Sequence, residues 1–332
     1  MINFALFGAG RIGSIHGANV AANKQALLVG VCDPYQPNVD KLIAELGCAQ
    51  MTEQEIFTDA SISAVLICSA TDTHADLIEQ AVAVGKHVFC EKPIDLSLER
   101  VQQCAQIVEQ SDCKALVAFN RRFDPNFQLL QQRIAAGQIG KVELVSIISK
   151  DPSPPPLEYI SSSGGLFRDM TIHDFDMARF LLGEEIDAVS AHGSCLVDPA
   201  IGEAGDIDTA VINLTTASGK LAQISNSRRA SFGYDQRIEV HGSKGMLVAQ
   251  NINEHTVTAY GESGVSSAKP LYFFLERYEA AYQAELDSFI RALEGETVSY
   301  PSMNDGLQAL LLAEAAILSC QSDRTVKLSE IK

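Results

Sequence analysis

Basic side chains are scarce in this 332-residue chain: 25 Lys and Arg stand against 42 Asp and Glu, a net charge of −17. Nucleic-acid binding draws its affinity from Lys and Arg that displace counterions from phosphates, so DNA and RNA are not expected partners. Long apolar runs are absent too. The greasiest stretches, 64–68 and 307–318, are short or broken by Gln and Glu, well under the ~20 residues that a membrane crossing needs. The N-terminus, Met1-Ile2-Asn3-Phe4, has no basic stretch ahead of an apolar one, so no secretory leader is expected and a cytoplasmic location is. No C-x-x-C pair occurs among the cysteines at 32, 48, 68, 90, 104, 113, 195 and 320. Their irregular spacing argues against a zinc knuckle or a disulfide framework, and they read as small buried apolar residues.

What is present is enough apolar residue, 46% of the chain, and enough length for two domains with cores of their own. From Ile2 to Phe119 short apolar runs (Asn3 to Phe7, Leu27 to Cys32, Ala64 to Ile67, His87 to Cys90, Ala115 to Phe119) alternate with helical-period stretches (Ile12 to Ala22, Thr73 to Val84, Ser97 to Gln110). That order implies α/β architecture, a parallel sheet covered by helices on both faces. After Asn120 the texture changes to consecutive extended segments between 142 and 251, with Gly219, Gly242 and Gly245 as turn signals. One long helix is expected over Gly164 to Leu182, and two more over Glu276 to Glu294 and Asn304 to Ser319. The expected division is therefore a nucleotide-type α/β domain over 1–120 followed by an α+β domain with a largely antiparallel sheet over 121–332. Asp151-Pro-Ser-Pro-Pro-Pro156 can sit in neither a helix interior nor a central strand, and reads as a stiff loop.

The first turn, Gly8-Ala9-Gly10-Arg11-Ile12-Gly13, follows an expected strand and opens an expected helix. A G-x-G-x-x-G match alone is weak, but here an acid, Asp33, also stands at the end of the second strand. Gly8 permits the tight turn, Gly10 lets the backbone approach a pyrophosphate, Gly13 lets the helix pack close, and N–H groups at the helix start face phosphate. Asp33 would accept from an adenosine ribose and repel a 2′-phosphate, which favours NAD over NADP. The other strand ends carry Ala70-Thr71-Asp72, Glu91-Lys92-Pro93 and Asn120-Arg121-Arg122, and ligands of open α/β sheets bind outside those ends. Thr71 and His74 fit helix capping and cofactor contact equally well.

Lys92 follows an apolar strand, and the proline after it confines it to extended backbone; a cis peptide there cannot be read from sequence. Downstream, Asp169, His173 and Asp176 fall within roughly 60° of one another at helical spacing. An imidazole flanked by carboxylates can be oriented and made more basic, as a general base near neutral pH requires. D-x-x-x-H-x-x-D could also offer a metal two oxygens and a nitrogen, but zinc catalysis usually takes more His or Cys ligands than can be assigned, and no metal is expected.

At this point the chain resembles the Gfo/Idh/MocA sugar and polyol dehydrogenases over essentially its whole length. The glycine turn, Glu91-Lys92-Pro93 and the Asp169/His173 pair carry the general likeness. Phe119-Asn-Arg-Arg-Phe-Asp124, the run from Gly165 to Arg179 and Ser227-Arg-Arg-Ala-Ser-Phe-Gly-Tyr-Asp-Gln-Arg237, continuing to His241-Gly-Ser-Lys-Gly245, make it similar to the family's inositol 2-dehydrogenases. The resemblance implies that Lys92, Asp169 and His173 form a catalytic triad, and that Arg121, Asp176 and Tyr234 line a polyol pocket. Gly8, Gly10, Arg11, Ile12, Gly13, Asp33, Thr71, His74, Glu91 and Lys92 are the implied cofactor contacts. It further implies a Rossmann NAD-binding domain over 1–120 and an α+β substrate-binding and oligomerisation domain with an open, largely antiparallel sheet over 121–332. The activity it implies is NAD-dependent oxidation of myo-inositol to its 2-ketone, scyllo-inosose, by a homotetramer joined through that open sheet. Action on scyllo- or chiro-inositol or on an aldose stays open, because Lys150-Asp151 and the proline loop depart from some members. A non-catalytic NAD-binding regulator is the remaining alternative, and an intact triad argues against it.

Overall fold

The apolar runs at the start of the chain pair side by side. The computed structural model describes residues 1–331 and divides into two units, Met1–Phe123 with Ala281–Leu310, and Asp124–Ala280 with Leu311–Lys332. In the first unit β1 (Ile2–Phe7), α1 (Arg11–Ala22), β2 (Ala26–Cys32), α2 (Gln36–Leu46), β3 (Ala49–Gln50), α3 (Glu53–Thr58), β4 (Ala64–Ile67), α4 (His74–Ala83), β5 (His87–Cys90), α5 (Leu98–Glu109) and β6 (Ala115–Val117) alternate. The strands form one parallel sheet in the order 3-2-1-4-5-6, that of dinucleotide-binding sheets, with the order reversing between β1 and β4. All four residues of β4 are buried, as a strand covered on both faces requires. Helix starts are written locally: Thr52 and Glu55 make a capping box on α3, and Ser97 caps α5.

In the second unit come α6 (Pro125–Ala135), β7 (Val142–Lys150), α7 (Leu157–Ser163), a π-helical turn (Phe167–Thr171), α8 (Ile172–Leu182), β8 (Ile186–Ser194), α9 (Pro199–Glu203), β9 (Thr209–Thr216), β10 (Leu221–Ser227), β11 (Asp235–Gly242), β12 (Gly245–Ala249), a small hairpin of β13 (Thr258–Gly261) and β14 (Gly264–Ser267), and α10 (Phe274–Arg277). Helices α11 (Glu279–Leu293) and α12 (Met303–Ser322) and strand β15 (Val326–Lys327) complete the chain. The seven-stranded sheet runs 12-11-7-10-9-8-15, with β7 and β10 parallel and every other neighbour antiparallel. Helix α8 packs on β7 and α6 on β12. On the opposite side of the pleat Leu144, Val211, Leu221, Met246 and Val248 are exposed.

Three expectations change. A single cut near residue 120 puts 281–310 in the second domain, whereas the structure packs that segment into the first unit. The reason is apolar: Phe289 on α11 lies 6.4 Å from Phe4 and 5.8 Å from Phe89, ring centre to ring centre. The stretch 276–294 is two helices, α10 and α11. The helix expected from Gly164 begins later, because Gly164 and Gly165 adopt φ of +81° and +83°, where side chains other than glycine are strained. They close α7, which follows directly on the proline loop.

Candidate functional site

In the first unit the expected cofactor residues gather at the carboxyl ends of β1, β2, β4 and β5. Gly8 has φ +92°, and a Cβ there would stand 2.4 Å from the Cys68 carbonyl oxygen; one on Gly13 would stand 1.9 Å from the Gly8 oxygen. A Cβ on Gly10 would meet no heavy atom within 4 Å. Helix α1 has Gly10 as its N-cap, with no side-chain cap and no acid in its first turn, unlike α3 and α5. A close backbone turn, an open approach at Gly10 and uncapped helix N–H groups suit a pyrophosphate. Residues Arg11 and Ile12 lie in this first turn, Arg11 exposed.

Asp33 stands where the sequence placed it, and it also holds the turn. Its Oδ2 accepts from the Ala9 N–H at 2.6 Å and its Oδ1 from the Tyr35 N–H at 2.7 Å. Each carboxylate oxygen keeps a further lone pair for a ribose hydroxyl. Thr71 begins a short 3-10 turn whose N-cap position is held by Ala70, and Thr73 holds that of α4, so Thr71 caps neither. His74 is 2% exposed, and its ring nitrogens face the Pro93 oxygen at 2.8 Å and the Ser69 oxygen at 3.1 Å. It therefore ties the end of β4 to the loop after β5 from behind, rather than presenting its ring to a ligand. Lys92 precedes a cis peptide to Pro93 and is half-buried. Arg121, just after β6, is 5% exposed.

Glu91, beside Lys92, is bonded through Oε1 to Nε2 of the buried His16 at 2.8 Å. Below them sits a residue the sequence reading missed. Glu285 on α11 is wholly buried, and neither carboxyl oxygen has a hydrogen-bond partner among the described residues. Burial first, and the Glu91 carboxylate second, push its carboxyl well up from the ordinary range. The signal was an acid on the apolar stripe of Tyr282, Leu286 and Phe289. A folded-state value above the unfolded one means that stability is fully present below about pH 4.5 and declines as pH rises through the folded value. Glu285→Gln should therefore raise Tm more at pH 8 than at pH 4, and an equal shift at both would show that Glu285 is not held protonated.

In the second unit the 164–182 stretch departs from one regular helix. Asp169 lies in the π turn, a wide turn that recurs at functional sites, so the 100° projection that grouped it with His173 and Asp176 does not hold through it. Asp169 and His173 are half-buried, whereas Asp176 is 1% exposed and lies 3.8 Å from Arg179 of its own helix. Tyr234, 6% exposed, sets its ring perpendicular to that of Tyr278 at 5.9 Å. These two, expected to line a pocket, are mostly enclosed by protein. The turn carrying His173 is pinned on both sides of it. Asn226 of β10 donates to Asp174 Oδ2 at 2.8 Å and accepts from Thr171 Oγ1 at 2.7 Å. Buried polar groups bonded in this way fix one arrangement of the helix. Among the described residues no group of three or more His, Cys, Asp or Glu is placed to hold a metal.

Residues 2–119 match the model of the oxidoreductase family's NAD-binding Rossmann fold, and residues 127–248 match the Gfo/Idh/MocA C-terminal domain. The chain belongs to the Gfo/Idh/MocA oxidoreductase family. Its NAD-binding domain is the first of these two matches. This family member is 50% identical over 328 residues to an inositol 2-dehydrogenase of Rhizobium meliloti, with 99% of each chain covered. It is 46% identical over 332 residues to a myo-inositol 2-dehydrogenase of Thermotoga maritima, again over 99% of both. Among solved structures, a myo-inositol dehydrogenase of Corynebacterium glutamicum superposes with a TM-score of 0.94 at 44% identity, covering 99% of both chains. A scyllo-inositol dehydrogenase of Lactobacillus casei, with bound NAD(H) and scyllo-inositol, superposes with 0.91 at 32% identity over 99% of both. No helix among the described residues is long and apolar enough to cross a membrane.

Proposed function

We propose that the protein is an NAD-dependent inositol 2-dehydrogenase, oxidising the axial secondary alcohol of myo-inositol to scyllo-inosose. The observation that carries this reading is the coexistence, in a chain so similar to inositol dehydrogenases along its full length, of the Gly8–Gly13 turn braced by Asp33 and the pinned Asp169/His173 turn. Bound NAD supplies the hydride acceptor. His173 takes the hydroxyl proton as the C–H bond breaks. Asp169 orients the imidazole and stabilises the imidazolium that forms. Lys92 stabilises charge developing on the alcohol oxygen. Arg121, Asp176 and Tyr234 hydrogen-bond the remaining hydroxyls, a pairing that selects strongly against polyols lacking them. Asp33 disfavours the 2′-phosphate of NADP by like-charge repulsion.

The reading extends to assembly and place. The exposed apolar residues on the open side of the seven-stranded sheet support association into a homotetramer through that surface. Eight free cysteines, Cys90 among them with its thiol pushed well up by burial, suit the reducing cytoplasm. The decisive experiment is a panel of inositol isomers and aldoses with NAD or NADP, following absorbance of the reduced cofactor. Fastest NAD reduction with myo-inositol, and at least tenfold slower reaction with NADP, is expected; a faster rate with scyllo-inositol or an aldose would reassign the substrate. Light scattering on the same preparation should give four chains.

A further inference from the structure

An aspartate that orients a base must itself be held still, and Asp169 sits in a five-residue π turn rather than inside a regular helix. Its carboxylate is gripped from two other elements. The Tyr159 hydroxyl of α7 donates to Oδ1 at 3.0 Å, and Nη2 of Arg228, just past β10, donates to Oδ2 at 3.4 Å. Arg228 is 1% exposed, and its other terminal nitrogen lies 3.8 Å from Asp151 Oδ2 at the start of the proline loop. Its own backbone is tied down, since its N–H donates to the Asp208 oxygen at 2.8 Å. The same loop, stiffened by Pro154, Pro155 and Pro156, delivers Tyr159, whose N–H donates to the Pro156 oxygen at 3.0 Å.

We propose that Tyr159 and Arg228 are positioning residues for the oxidation, acting through Asp169. This inference rests on the catalytic reading of Asp169. Two features separate it from ordinary packing. Tyr159 is 46% exposed, so its hydroxyl gains little for folding by reaching Asp169, since an exposed polar pair contributes little to stability. A guanidinium, by contrast, is costly to bury unless its partners are fixed, and Arg228 is shared between two carboxylates at once. Together they hold both oxygens of the aspartate and so set the plane in which it can meet an imidazole. The proline loop thereby becomes part of the catalytic apparatus without touching substrate: it supplies Tyr159 at one end and braces Arg228 through Asp151 at the other.

The test is a double-mutant cycle. Tyr159→Phe should lower kcat about tenfold, the scale of a lost hydrogen bond to a charged group, with Tm and NAD affinity unchanged. In an Asp169→Asn background the same substitution should change kcat by less than about twofold, because residues acting through one partner are not additive. Arg228→Lys should behave in the same way; if it does not fold, the Tyr159 cycle decides alone. Wild-type kcat in Tyr159→Phe, or losses that multiply in the double variant, would overturn the proposal. Wild-type turnover in Asp169→Asn would instead overturn the catalytic reading beneath it, so the two failures are distinguishable.

Discussion

Replacing His173 by alanine is expected to lower kcat for inositol oxidation by about a thousandfold, the middle of the range for a positioned general base, while NAD binds as tightly as before. The separation follows from where the residues lie. The glycine turn and Asp33 belong to the first unit, and His173 to the second, on a turn fixed by Asn226 through Thr171 and Asp174. Losing the imidazole removes a proton acceptor without disturbing the groups assigned to the cofactor. Lys92→Ala should reduce kcat by about a hundredfold or more, as loss of one group stabilising a developing oxyanion does. Steady-state absorbance and NAD titration calorimetry read the two quantities separately. Turnover of His173→Ala within about threefold of wild type, against the hundredfold minimum for such a base, would sink its role.

The second large effect is a contrast between two glycines three residues apart. Gly13→Ala drives a Cβ into the Gly8 carbonyl, backbone against backbone, with no side chain able to give way. A destabilisation of up to about 3 kcal/mol, as for an overpacked core, is expected, together with loss of NAD binding as the turn moves. Gly10→Ala meets no protein atom and keeps an allowed φ of −69°. Its stability should stay within about 0.5 kcal/mol of wild type, yet its NAD affinity should fall, because the added methyl occupies the path of the pyrophosphate. Chemical denaturation paired with calorimetry distinguishes these. A Gly10→Ala protein that binds NAD normally would show that the cofactor does not approach there.

Legibility in the sequence followed the range of the interactions. Strands β4 and β5 are read to the residue, because a buried parallel strand writes itself as an unbroken apolar run. The glycine turn and Asp33 are equally legible, since their geometry is set within one βαβ unit. Helix α6 was missed although Asp124 caps it and Pro125 opens it, local signals that could have been used. The helix over 164–182 was misplaced because apolar spacing carries no mark of a left-handed glycine pair or of a π turn. Glu285 and Arg228 depend on neighbours distant in the chain, Arg228 meeting Asp169 across 59 positions, and Tyr159 reaches Asp169 across an irregular ten-residue stretch. Such meetings have no periodicity to reveal them.

The return of α11 to the first unit bears on how the chain is born. Phe4 and Phe89 leave the ribosome early, but Phe289, which packs between them, is in the last seventh of the residues made. At about 5 to 20 residues per second, the 187 positions from Phe123 to Leu310 take roughly 10 to 40 s to synthesise. For that interval the nascent cofactor domain lacks a wall of its core, and truncating a buried phenylalanine alone costs about 3–5 kcal/mol. The amino-terminal domain is thus completed by the carboxyl-terminal stretch, and a nascent chain stalled before Ala281 would hold an apolar gap open to chaperones and proteases.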